Sequence, residues 1–157
     1  MNMRRLVLVT SAALLLAGCG INDVPTKGEA AAAAWAEVQN QYQRRADLVP
    51  NLVETVRGYA KHEEATLSAV MEARAKATSV TITADDATDP EKVAAFEQAQ
   101  AELSRGLGRL LAVAENYPDL KANQNFLALQ SQLEGTENRI AVARRDYIQA
   151  VQTYNLE

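Results

Sequence analysis

Residues 126–154 read FLALQSQLEGTENRIAVARRDYIQAVQTY, and in them Phe126, Leu133, Ile140, Tyr147 and Tyr154 recur every seven residues. A seven-residue apolar repeat places its members on one stripe of an α-helix, the seam along which helices pack in bundles and coiled coils. The stripe needs partners of the same kind. Upstream, Asn116-Tyr117-Pro118-Asp119 breaks the pattern, and before it a helix is predicted from Pro90 to about Glu115. Asp89-Pro90-Glu91 has the form of an N-cap, a proline at the first helical position and an acid in the first turn. Val93, Phe96, Leu103, Leu107, Leu110, Leu111 and Val113 are available for its buried face.

The N-terminal half carries two interleaved series seven apart: Trp35, Tyr42, Val49, Val56, Glu63, Val70, and Val38, Arg45, Leu52, Tyr59, Thr66, Ala73. They predict one helix over about 27–78, kinked at Pro50, where a donor is lost and the preceding turn is crowded. Thr26-Lys27-Gly28-Glu29 matches a capping box at its start. Only Val80 to Thr83 alternates like a strand, and it is too short to make a sheet. The expected fold is therefore all-α: a long antiparallel helical bundle with an up-down-up core of three long helices. On 1.5 Å per residue, helix one would reach roughly 78 Å and helix two about 40 Å. The excess of helix one must overhang, with Trp35 and Tyr42 as candidate anchors for a second copy or a partner protein.

Charged residues interrupt the seams. Arg45, Glu63, Glu137 and Arg144 all fall in stripe positions among apolar neighbours. A lone buried charge is costly, so such groups pair. They form a candidate polar layer, read either as a device fixing helix register or as a pocket for a ligand. Interior glycines, Gly58, Gly106, Gly108 and Gly135, suggest close helix approach. The catalytic inventory is thin: His62 is the single histidine, beside Glu63 and Glu64, and reads as a solvated surface residue. Asp85, Asp86, Asp89 and Glu91 lack calcium-loop spacing and read as capping groups. No metal or other cofactor is expected.

The first 20 residues set the compartment. Arg4 and Arg5 precede an apolar run from Leu6 to Leu16, broken only by Thr10 and Ser11. Eleven residues are too few to span a bilayer, which takes about 20. A secretory signal over 1–18 fits instead. Leu16-Ala17-Gly18-Cys19 resembles a bacterial lipobox, which implies diacylation of Cys19, the only cysteine in the chain. A tether over 19–28 and a bundle domain over 29–157 would follow. Cleavage removes Arg4 and Arg5 and leaves 14 basic against 20 acidic residues, a charge of −6. An acidic body without a basic tract excludes nucleic acid as an expected partner.

Three blocks point to a family. Tyr42 to Val53 (YQRRADLVPNLV), Ala114 to Asn123 (AENYPDLKAN, followed by Asn125-Phe126) and Leu133 to Arg145 (LEGTENRIAVARR) together resemble LemA family proteins. The resemblance implies a helical-bundle protein of the cell envelope whose molecular activity is not established. Many members carry a transmembrane helix as anchor, so a lipidated cysteine departs from the pattern. Ile148 stands where the family usually has asparagine, and the family pattern continues through a further C-terminal stretch that could cover the overhang. The expectation is a membrane-anchored lipoprotein facing the periplasm or cell exterior. It would act as a non-catalytic scaffold or adaptor for another envelope protein or itself. The alternative is an envelope hydrolase or small-ligand-binding protein using the polar layer.

Overall fold

The computed structural model describes residues 23–83, 86 and 90–156. Cys19, the expected signal peptide and Asp89 lie outside them. Helix α1 runs Asp23–Arg57, α2 Glu64–Ser79, α3 Pro90–Ala114, α4 Pro118–Lys121 and α5 Gln124–Asn155. The all-α antiparallel bundle expected from the sequence is present, and among the described residues no strand occurs.

Three expectations about the N-terminal half need correction. Thr26 is not an N-cap, because the helix already runs through it from Asp23, and much of the expected tether is helical. The single helix over 27–78 is divided: the chain turns at Gly58–Glu63 and α2 returns antiparallel along α1, with Arg74 opposite Ala46. Glycine at 58 weakens the helix, and Ala60, fully buried, plugs the reversal. The result is four main helices, up-down-up-down, rather than three. With α2 folded back, the length mismatch that called for outside cover disappears. Trp35 and Tyr42, expected as anchors for another chain, are 7% and 6% exposed within this one.

Pro50 sits inside α1 without ending it. Proline has no amide to give the carbonyl of residue 46. That carbonyl instead accepts from Arg74 Nε across the helix pair, at 2.8 Å. A defect within one helix thus becomes a tie to the next. At the far end, α4 closes the turn between α3 and α5, with Leu120 fully buried. Asn123 caps α5, its side chain accepting from the Phe126 amide at 3.0 Å, while Asn123 Nδ2 donates to Tyr59 Oη at 2.8 Å. Of the interior glycines only Gly106 serves a close helix approach: a Cβ there would meet Val70 Cγ2 at 3.5 Å, whereas Gly108 faces open space.

The core falls into two apolar clusters stacked along the bundle axis. One holds Val49, Leu52, Val53, Val56, Leu67, Val70, Leu103, Leu107, Leu110 and Phe126, among others. The second holds Trp35, Val38, Tyr42, Ile82, Phe96, Ile140 and Ala143.

A buried guanidinium layer as the candidate functional site

Between the two clusters three of the four seams carry a polar group. On α1, Arg45 lies between Tyr42 and Val49; on α3, Gln100 lies between Phe96 and Leu103; on α5, Thr136 lies between Leu133 and Ile140. All three are buried. Arg45 is 2% exposed, and its two terminal nitrogens donate four hydrogen bonds. Nη1 reaches Ser104 Oγ at 2.7 Å and Glu137 Oε1 at 3.0 Å. Nη2 reaches the Gln100 side-chain oxygen at 2.6 Å and its backbone carbonyl at 3.2 Å. Gln100 Nε2 passes the network to α2 through the Ala77 carbonyl, at 3.1 Å. One cation therefore ties α1 to α3 and α5 directly and to α2 through one amide. Its guanidinium also lies 5.0 Å from the Tyr42 ring centroid, an attractive arrangement for a desolvated cation. Arg45 Nε is the exception, a buried donor without a hydrogen-bond acceptor among the described residues.

The charge balance is lopsided in exposure. Glu137, the carboxylate on Arg45, is 42% exposed at its side chain. An open groove of about 380 Å³ leads down to this pair, and Arg105, Glu97 and Arg144 also line it. Arg144 does not pair with Glu137 but with Glu97 at 2.7 Å, while donating to Tyr42 Oη at 3.1 Å. Burial lowers the Arg144 pKa, but Tyr42 and Glu97 outweigh it, and the net shift is upward, so the guanidinium stays charged. Glu63 is not in the layer at all. It sits at the α1–α2 reversal and accepts from Tyr117 Oη at 3.2 Å. Of the four residues expected to form a polar layer, the structure thus brings Arg45 and Glu137 together, places Arg144 on a neighbouring pair and moves Glu63 to the far end.

Sequence reasoning missed Gln100, Ser104 and Thr136. Gln100 and Thr136 carry a readable mark, since each is the polar interruption of an otherwise apolar row, as Arg45 is in its own. A second, shallower network flanks the layer: Arg139 Nε donates to Gln41 Oε1 at 3.2 Å and Arg139 Nη2 to Thr136 Oγ1 at 3.0 Å.

Below the layer the aromatic residues close on one another. Trp35 packs against Phe96 and Tyr147 at centroid distances of 5.6 and 5.0 Å, and Tyr42 against Phe96 at 5.3 Å. The short extended segment around Ile82 plugs this cluster: the Ile82 side chain is buried, and its carbonyl accepts from Trp35 Nε1 at 3.1 Å and from Gln39 Nε2. His62 is exposed. Among the described residues no group of three or more histidine, cysteine or acidic side chains is placed to hold a metal ion. None of their helices is long and apolar enough to cross a membrane.

The fold and its site define a class: antiparallel four-helix bundles pinned at mid-height by one buried guanidinium. The chain belongs to the LemA family, whose family pattern matches residues 34–157. Two relatives from Paramagnetospirillum magneticum, magnetosome proteins MamQ 1 and MamQ 2, are each 39% identical over 59 residues, 38% of this chain and 22% of theirs. Protein LemA of Metamycoplasma hominis is 25% identical over 118 residues, 75% of this chain and 50% of its own. The chain therefore spans half or less of the length of these relatives.

Proposed function

We propose that this LemA family protein is a membrane-anchored envelope lipoprotein that acts as a non-catalytic helical scaffold or adaptor. The observation that carries the reading is the spending of Arg45: both its terminal nitrogens are saturated by groups of the bundle itself. A cation so engaged fixes the height at which four helices meet, which suits a rigid presenting surface. Anchoring through Cys19 rests on the Leu16 to Cys19 box and the short apolar run before it. Acyl chains add about 0.8 kcal/mol of membrane affinity per buried methylene.

A second reading, a hydrolase or small-ligand site, draws on the groove of about 380 Å³ in which Glu137 is partly exposed. One experiment separates the two. The protein is cross-linked in native envelopes, recovered with its lipid intact, and compared with Arg45→Met/Glu137→Leu, which replaces the charge pair by apolar side chains. A folded double variant that keeps the same cross-linked neighbour supports the scaffold. Loss of a turnover or ligand signal in folded Glu137→Gln, with the neighbour retained, supports the second reading.

A further inference from the structure

The α5 seam emerges from the bundle at one end, and that end is the one nearest Cys19. Phe126, Leu133 and Ile140 are buried, Tyr147 is half-buried, and Tyr154, the next in the series, is 44% exposed. Two of the six large apolar side chains exposed among the described residues, Tyr154 and Leu156, lie at the C-terminal end of this helix, and a third, Ile148, lies higher, lining a cavity with Trp35, Phe96 and Glu97. The antiparallel packing of α1 and α5 sets Tyr154 beside the start of α1: a Cβ at Gly28 would lie 3.6 Å from its ring. Asp23, where α1 begins, is four residues beyond Cys19. A fully extended link of that length spans at most about 14 Å, and Gly28 is about 8 Å further along the helix.

From this we infer that the C-terminal end of α5, which carries Tyr154 and Leu156, rests on the surface of a lipid bilayer. The bundle then stands on the membrane through a protein contact as well as through its acyl chains. The inference depends on the acylation of Cys19 proposed above. Acylation holds the exposed end of the seam within reach of the headgroups, a level that suits a ring with a polar tip. Asp23, Lys27, Glu29, Arg145 and Asp146 at this end carry no excess of positive charge, so the contact draws on no anionic lipid.

The test uses the full acylated protein in phosphatidylcholine vesicles. The Cys19 sulfur is blocked by its thioether, so a new cysteine is the single labelling site. Asn155→Cys and Asn125→Cys, both at exposed positions, carry an environment-sensitive NBD label at points about 45 Å apart along α5. With nitroxide placed high on the lipid acyl chains, the label at 155 should lose most of its emission and the label at 125 should keep it. Adding Tyr154→Ser and Leu156→Ser should restore much of the emission at 155. Equal, slight quenching at both positions in protein that floats with the vesicles overturns the contact. So does protection at 155 that follows protein density and ignores the nitroxide, which would mean a second copy covers the seam. An unmodified Cys19 thiol, read separately by mass, overturns the anchoring reading, and the contact falls with it.

Discussion

Replacing Arg45 by alanine should be among the most damaging single changes available in this bundle. The guanidinium is 2% exposed and makes four hydrogen bonds. Its loss strands the Gln100 side-chain oxygen inside the core and leaves a void between Tyr42 and Val49. Unpairing a buried charged group or opening such a void costs about 3–5 kcal/mol. The carboxylate side behaves differently. Glu137 is 42% exposed, and a glutamine oxygen at this position can still accept from Arg45 Nη1, so Glu137→Gln removes the counter-charge but keeps an acceptor and should cost only about 1–2 kcal/mol. Arg45→Met keeps most of the volume and removes the charge to be solvated, and should recover about 2 kcal/mol relative to alanine. Urea unfolding followed by helical circular dichroism measures all three. An Arg45→Ala variant within about 0.5 kcal/mol of the parent would refute the reasoning, since changes of that size are typical of surface positions.

Four further outcomes follow from other contacts. Ile82→Ala should red-shift the emission of Trp35, the single tryptophan, because it uncovers the ring whose indole nitrogen the Ile82 carbonyl accepts from. An unchanged spectrum would show that Ile82 does not cover it. Arg74→Ala should cost about 1–2 kcal/mol and markedly less in a Pro50→Ala background, where residue 50 regains an amide for the Ala46 carbonyl; equal costs would break the link between them. Gly108→Ala should raise stability by up to about 1 kcal/mol, since its Cβ meets nothing within 4 Å and alanine favours the helix. A loss measured in unfolding would contradict that. The Asp86 carboxylate, held by Lys92 and by the backbone and hydroxyl of Thr83, has its pKa lowered from 3.8 to about 2. The stability it contributes is full above its unfolded value near 4 and is lost as pH falls through about 2. In Asp86→Asn this part of the acid-unfolding profile should vanish.

The α5 seam was readable because Phe126, Leu133, Ile140 and Tyr147 repeat without interruption, and burial follows the repeat until the bundle ends. Arg45 and Glu137 were readable for a related reason: a charge in an apolar row has to be answered by another charge. The reversal at 58–63 was not, because Val56, Glu63 and Val70 keep seven-residue spacing straight across it. Spacing reports which face of a helix is apolar, and two antiparallel helices can each present such a face with the phase preserved by accident. Gly58 and Glu63, a helix-weakening residue and a carboxylate in an otherwise apolar row, were the local signs of a break. The closing of Trp35 by Ile82 was out of reach for another reason: 47 residues separate them, and nothing local in Val80 to Thr83 says which face they will cover. Cys19 lies outside the described residues, so its role stands on the sequence around it.

The proposed anchoring, and with it the proposed scaffold role at a membrane surface, turns on this one residue. The direct measurement is the mass of the N-terminal peptide of the protein extracted from native membranes. Acylation at Cys19 predicts a chain that begins at Cys19 with a diacylglyceryl group on its sulfur, and Cys19→Ser protein that retains residues 1–18. A free Cys19 thiol in membrane-extracted protein, or residues 1–18 still attached to the parent chain, would contradict it.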